Sequence, residues 1–178
     1  MKADFFNPFL DSFNLAIAKI FGERVKKEKV ELINSLNGEE NVHIFIGVAG
    51  DYEGMMLFTA PFEDAVKIAS QITGSNSKEF DEHSSQAMQK LLSTSAAQAV
   101  SVLSQKGIYT YITPPAFVSG EKLNTRFSNS IISVKILVAE KARFSLNFSL
   151  KFQEEHSRRH SPLVVKVFPQ RSRFPLYK

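Results

Sequence analysis

The chain has 178 residues, 43% of them hydrophobic and 22% charged, the ordinary balance of one folded domain long enough to bury a core. It has no cysteine, which excludes a disulfide framework, thiolate catalysis and cysteine-ligated metal. The formal net charge of +4 belongs to the end of the chain: beyond residue 152, Arg158, Arg159, Lys166, Arg171, Arg173 and Lys178 are set against Glu154 and Glu155, and the remainder is neutral overall. The basic character therefore describes a tail and not a binding face. A solvated extension is its expected role, and electrostatic attachment to membrane or nucleic acid is the lesser reading. No apolar run reaches the ~18 residues of a membrane span. No basic segment followed by an apolar core opens the chain as a secretory leader would. The expected location is the cytoplasm, with neither a nucleic acid nor a membrane span involved.

Asn7-Pro8 predicts a helix start, with Asn7 as N-cap and Pro8 at the first helical position. Phe9, Phe13, Ala16, Ile17 and Ile20 recur at helical spacing, and Gly22 ends the helix. Val30–Leu36 reads as a strand. Val42–Val48 and Gly54–Ala60 read as a hairpin around Ala49-Gly50-Asp51-Tyr52-Glu53. Pro61 opens a second helix, with Phe62, Ala65, Val66, Ala69 and Ile72 inward and Gly74 at its end, and Ser75–Lys78 is a polar loop. From Asp81 to Gln105 there is neither Pro nor Gly. Met88, Leu91, Leu92, Ala96, Ala99, Val102 and Leu103 form one apolar stripe there, and Gly107 stops the helix. Ile108 to Phe152 reads as strand. Ile132, Val134, Ile136 and Val138 alternate in one strand. Phe144, Leu146, Phe148, Leu150 and Phe152 alternate with Ser145, Asn147, Ser149 and Lys151 in another, and Ala139-Glu140-Lys141-Ala142 is the turn between them. The sum is an α+β fold, three main helices packed on a mostly antiparallel sheet of about six strands. Pro162, Pro169 and Pro175 break the pattern beyond Phe152, although Leu163–Phe168 can add a short strand. The expected division is a domain over 1–152 and a basic extension over 153–178.

No phosphate-binding loop, nucleophile elbow or dinucleotide fingerprint is present. Gly47, Gly50 and Gly54 sit in a hairpin and read as turn glycines. His156 and His160 have i,i+4 spacing, but they lie in the proline-interrupted tail with arginines between them. No metal site and no cofactor are expected. What stands out is the face of the long helix opposite its stripe: Gln86, Lys90, Ser93, Ala97, Ser101 and Ser104, with Lys90 its only charge. A solvated helix face usually carries several charges of both signs, so this one suits partner docking. The first helix echoes it. Asp11, Asn14 and Ala18 have the same x, x+3, x+7 spacing as Lys90, Ser93 and Ala97. At ~100° per residue each trio shares one narrow face. A carboxylate and an amide one turn apart can hold a water and a cation against a substrate. The plainer account of Asp11 is an acid favouring the helix dipole in the first turn; Asn14 has mediocre mid-helix propensity, which points toward function.

Several pieces fall in a telling order: Asn7-Pro8-Phe9, Gly47-Val48-Ala49-Gly50-Asp51-Tyr52-Glu53-Gly54, Asp64-Ala65 through Thr73-Gly74, Asp81-Glu82, and Ile112-Thr113-Pro114-Pro115-Ala116-Phe117-Val118-Ser119-Gly120. Over roughly Phe6 to Phe152 this order resembles the CheX/CheC family of chemotaxis proteins, and CheX more than the two-site CheC. The resemblance implies removal of the phosphoryl group from the aspartyl phosphate of the response regulator CheY. It implies a Glu-x-x-Asn pair on the long helix, the Asn orienting the attacking water and the Glu pairing with a lysine of the receiver domain. It further implies Mg2+ carried by the receiver and a homodimer formed through sheet edges, with Arg143–Phe152 as a contributor. In this chain the Glu position is Lys90, the Asn position is Ser93 and the family's small glycine is Ala97. Lys90 reverses the charge, and Ser93 is too short to place a water as an amide would. Two readings stand. One is a member that binds a CheY-like receiver, or dimerises, without the usual hydrolysis, with Gln86, Lys90, Ser93, Ala97 and Ser101 as the binding face. The other is an active phosphatase using Asp11 and Asn14 on helix one. A non-catalytic dimeric adaptor is the rival from another class.

Overall fold

The computed structural model describes residues 3–23, 25–37, 41–76, 78–120 and 124–153. In chain order the elements are α1 (Ala3–Phe21), β1 (Val25–Asn37), β2 (Val42–Gly50), β3 (Tyr52–Ala60), α2 (Phe62–Thr73), α3 (Glu82–Gln105), β4 (Thr110–Ile112), β5 (Ala116–Ser119), β6 (Asn124–Val138) and β7 (Ala142–Phe152). The seven strands make one sheet in the order β1-β6-β7-β3-β2-β4, with β5 also pairing β2. Every pairing is antiparallel. Among the described residues no helix is long and apolar enough to cross a membrane. The proposed extension, with its Leu163–Phe168 strand, lies outside the described residues apart from Gln153.

Phenylalanine holds the helix layer to the sheet. Phe5, Phe9, Phe13, Phe58, Phe144 and Phe148 are each at most 2% exposed. Phe13 of α1 meets Phe144 of β7 edge-on at 5.4 Å and Phe58 of β3 at 6.1 Å. Such pairs add about 0.5–1.5 kcal/mol to the burial of the rings themselves. They also explain why α1 begins at Ala3 instead of at Pro8. Pro8 lies inside the helix, where its missing donor costs about 3 kcal/mol. Extending the helix buries Phe5 against Tyr52 and Phe9 and brings Phe6 to Phe148, and each buried ring contributes about 1.5–3 kcal/mol.

The strand Arg143–Phe152 is central and not an edge. β7 pairs β6 on one side and β3 on the other. Its period-two pattern suggests one wet face, yet Ser145, Asn147 and Ser149 are buried too. Asn147 Nδ2 donates to the Leu57 carbonyl and to Thr59 Oγ1, both at 3.3 Å. Part of this second face is closed by the strands themselves. The register slips between Ile33 and Ser35, and Leu36 and Ile131 join Leu57 in a small second core, with Ile33 and Phe45 beside it.

The edges of the sheet are therefore β1 and the short pair β4 and β5. Glu31 of β1 is pinned by Lys29 and by Lys135 of β6. These cations hold its carboxyl below the usual range. At the other edge Asp51 acts as a clasp. Its backbone N–H donates to the Tyr109 carbonyl at 2.8 Å, and its Oδ2 accepts the Tyr109 N–H at 2.8 Å. The carbonyl of Asp51 accepts from Gln153 N at 2.8 Å. This ties the β2–β3 turn to the segment leaving α3 and to the end of β7. Two glycines permit the approach, which goes beyond their expected role in the turn. Gly50 (φ 111) lies under the Tyr109 carbonyl and Gly54 (φ 145) under the Ser149 carbonyl. A Cβ at Gly54 would overlap that oxygen, so Gly54→Ala should cost about 2–3 kcal/mol in urea unfolding. A loss under about 0.5 kcal/mol, the level of a neutral surface change, would contradict this reading.

Candidate functional site

α3 is 24 residues long and begins at a true cap. Asp81 is extended, and its Oδ1 accepts the Ser84 N–H at 2.8 Å, which satisfies one of the free donors of the first turn. Hydrogen bonds from Ser84 hold the Asp81 carboxyl below its ordinary range. The inner side is fixed by Met88, Leu92, Ala96, Ala99 and Leu103, each at most 1% exposed. Leu91 and Val102, expected in the same stripe, lie at its margin and are half-buried.

The outer side follows from that arc. Gln86, Lys90, Ala97, Ser101 and Ser104 are exposed and Ser93 is half-buried. Thr94 and Gln98, which sequence reasoning passed over, are exposed as well and are also uncharged. Lys90 makes no ion pair among the described residues. Ser93 Oγ donates to the Lys90 carbonyl at 3.2 Å, so the hydroxyl is turned back onto its own helix. Gln86 Nε2 donates to Glu82 Oε1 at 3.1 Å. The two positions that carry the resemblance's chemistry thus present an ammonium group and a hydroxyl bonded to its own helix.

The α1 trio is less uniform. Asp11 is exposed, while Asn14 and Ala18 are half-buried. Asn14 Oδ1 is enclosed and has no hydrogen-bond partner among the described residues. Leu10, Ser12, Phe13 and Ile17 are buried around it, so the buried arc of α1 is wide enough to take in part of Asn14. Asp11 and Asn14 therefore do not share one open surface. Among the described residues no group of three or more His, Cys, Asp or Glu is placed to hold a metal ion; His156 and His160 lie outside those residues.

Two acids that received no role from the sequence have structural ones. Asp51 is the clasp described above. Asp64, in the first turn of α2, accepts the Arg143 N–H at 3.0 Å and pairs with Lys67 at 2.8 Å. It holds α2 to the start of β7. Tyr109 and Arg143, the partners that give these acids their roles, are distant in sequence, so spacing carries no signal for them.

The family model described as "Chemotaxis phosphatase CheX" matches residues 42–138, more than half of the chain. The chain belongs to the CheX family. A curated CheX relative, the CheY-P phosphatase CheX of Thermotoga maritima, is 26% identical over 152 residues, covering 85% of this chain and 98% of that protein. Among solved structures, a CheC-like superfamily protein from Shewanella sp. PV-4 superposes with a TM-score of 0.74 at 22% identity, covering 85% of this chain and 99% of that one. CheX in the CheX–CheY–BeF3–Mg complex of Borrelia burgdorferi gives 0.65 at 22% identity, covering 84% and 99%. These two likenesses show the fold. The α+β architecture expected of a CheX-like chain is the one observed.

The cap gives a test of how the CheX long helix is anchored. A carboxyl whose folded-state pKa is lowered stabilises above its unfolded value, and that contribution disappears as pH falls through the folded one. The melting temperature of Asp81→Ala should therefore fall below that of wild type at neutral pH, with the gap narrowing as the pH falls below the ordinary aspartate value of about 3.9. Asp81→Asn, which caps without titrating, should keep its advantage over Asp81→Ala above and below that pH. Thermal melts followed by circular dichroism read both comparisons. A wild-type gap that stays constant as the pH falls below that value would contradict the assignment.

Proposed function

We propose that this CheX-family chain binds a phosphorylated CheY-like response regulator on the outer face of α3 and does not carry the hydrolysis implied for that face. The carrying observation is the strip of exposed Gln86, Lys90, Ala97 and Ser101 with half-buried Ser93, in which the only charge is an ammonium that makes no ion pair among the described residues. Phosphoryl transfer to water depends on placing the nucleophile and neutralising charge. Lys90 offers no carboxylate to a receiver lysine. Ser93 offers a short hydroxyl already bonded to a carbonyl. The relatives support the partner class: one is described as a CheY-P phosphatase and another is seen in complex with CheY, BeF3 and Mg. Any Mg2+ belongs to the receiver in this reading, and the protein works in the cytoplasm. Asp11 and Asn14 are the lesser candidates, because Asn14 turns its Oδ1 inward.

The test is the decay of a phosphorylated CheY-like receiver. Wild type should bind the receiver and leave its decay within about twofold of the free rate. Lys90→Glu combined with Ser93→Asn, added at a concentration that saturates the receiver, should accelerate it at least about tenfold, since it restores a positioned water. Wild-type acceleration that disappears in Asn14→Ala would overturn the proposal and move the reaction to α1. Binding indifferent to phosphorylation would make the chain an adaptor.

The homodimer is assigned to the open edge of β1. Val30 and Leu32 are 59% and 69% exposed. They sit in register with Val134 and Ile132, whose side of the sheet carries the main core. Leu15 of α1 is 48% exposed. An open strand edge flanked by exposed apolar side chains is a pairing surface, and the exposed Lys26, Lys27 and Lys29 confine that pairing to the Val30 and Leu32 end of the strand. Leu32→Lys should shift the species in sedimentation velocity from dimer to monomer while the far-UV circular dichroism spectrum at about 25 °C stays that of the folded chain. A wild type that is monomeric at tens of micromolar would remove this assignment.

A further inference from the structure

A groove of about 520 Å³ runs between the end of α2 and the first half of α3. Ile72, Ala87 and Leu91 supply its apolar lining, and His83, Gln86 and Lys90 are among its polar groups. Among the described residues no acidic side chain lines it; the one acid on α3, Glu82, stands one turn before Gln86 and is hydrogen-bonded to it. Lys90 belongs both to this groove and to the exposed strip of α3, so the two surfaces are continuous. A larger hollow of about 690 Å³ beside Phe21, Phe62 and Val66 is different in kind. Its lining mixes Glu63 with lysines, one of them already paired to Asp64, and its charge names no occupant.

We infer that the α2–α3 groove receives an acidic amphipathic helix of the receiver partner, with an apolar side chain entering against Ala87 and Leu91 and a carboxylate pairing with Lys90. The inference rests on the receiver-binding reading and adds to it a selection rule. The groove is the size of a small ligand pocket, open along one side, with an apolar lining and one unpaired positive charge at its margin. That combination complements a helix carrying a carboxylate one turn, three or four residues, from an aliphatic group. Charge complementarity of this kind sets partner choice more than raw affinity. Lys90 is then a specificity residue. The substitution that removes the family's acid becomes the feature that prefers receivers presenting an acid and disfavours receivers presenting a lysine.

The experiment uses the full chain and a CheY-like receiver held active with BeF3 and Mg2+, with binding followed by titration calorimetry. Wild type should bind, and its Kd should rise with sodium chloride. Lys90→Glu should weaken binding about tenfold or more and Lys90→Gln by less, as expected for reversal and for loss of one interfacial charge. Ala87→Phe should weaken binding by filling the groove, with circular dichroism confirming that the variant is folded. In the Lys90→Glu background, one acid-to-lysine change on the receiver should restore affinity. Undiminished binding by Lys90→Glu and by folded Ala87→Phe would overturn the groove while leaving receiver binding intact. No binding by wild type to any active receiver would overturn the receiver reading itself, and the groove with it.

Discussion

The inner stripe of α3 is the constraint from which the working surface follows. Met88, Leu92, Ala96, Ala99 and Leu103 are packed away from solvent. Once they are, the helical repeat leaves no freedom over what looks outward. Gln86, Lys90, Ala97 and Ser101 are displayed because of where the large apolar residues lie. The same stripe fixes Leu91 at the margin, where it joins Ile72 and Ala87 in the groove against α2. The two ends of α3 are separately secured, by the Asp81 cap and by the Asp51 clasp on Tyr109. A docking face on such a helix is held in place before a partner arrives, which limits the ordering cost of binding.

In the proposed reading, fold and chemistry have separated in this chain. The CheX-like architecture is present, and in this chain two glycines let the Tyr109 segment and β7 approach the central hairpin. The two positions from which the family's hydrolysis is expected hold Lys90 and Ser93. Neither residue belongs to the buried core: Lys90 is exposed, and Ser93 is half-buried with its hydroxyl bonded to its own helix. The core therefore does not explain these substitutions. The proposed receiver contact does, through one positive charge on an otherwise uncharged strip. Lys90 is the only charge of that strip and makes no ion pair among the described residues.

Helices and central strands were legible in the sequence because their signals are local. The stripe from Met88 to Leu103, the Gly74 stop and the hairpin around Asp51 rest on spacing and turn chemistry within a few residues. What escaped depends on distant partners. The early start of α1 rests on Phe5 meeting Tyr52 and Phe6 meeting Phe148, which outweighs the proline signal. The central position of β7 rests on both its neighbours and on Asn147 finding Leu57 and Thr59; the Ser/Asn alternation alone reads as a wet face. Within the candidate site, the exposure of Gln86, Lys90, Ala97 and Ser101 was legible from periodicity, whereas the partly enclosed Asn14 and the inward hydroxyl of Ser93 were not. Those depend on how closely neighbouring elements approach and on which rotamer a short polar group adopts.

The most direct test of the central claim is to map the receiver's footprint by amide NMR, titrating the labelled chain with a BeF3-activated CheY-like receiver. Shifts and line broadening concentrated between Gln86 and Ser101 of α3, extending to Ile72 and Thr73 of α2, are the predicted result. Perturbation confined to β1, or centred on Asp11 and Asn14 with α3 unaffected, would contradict the account.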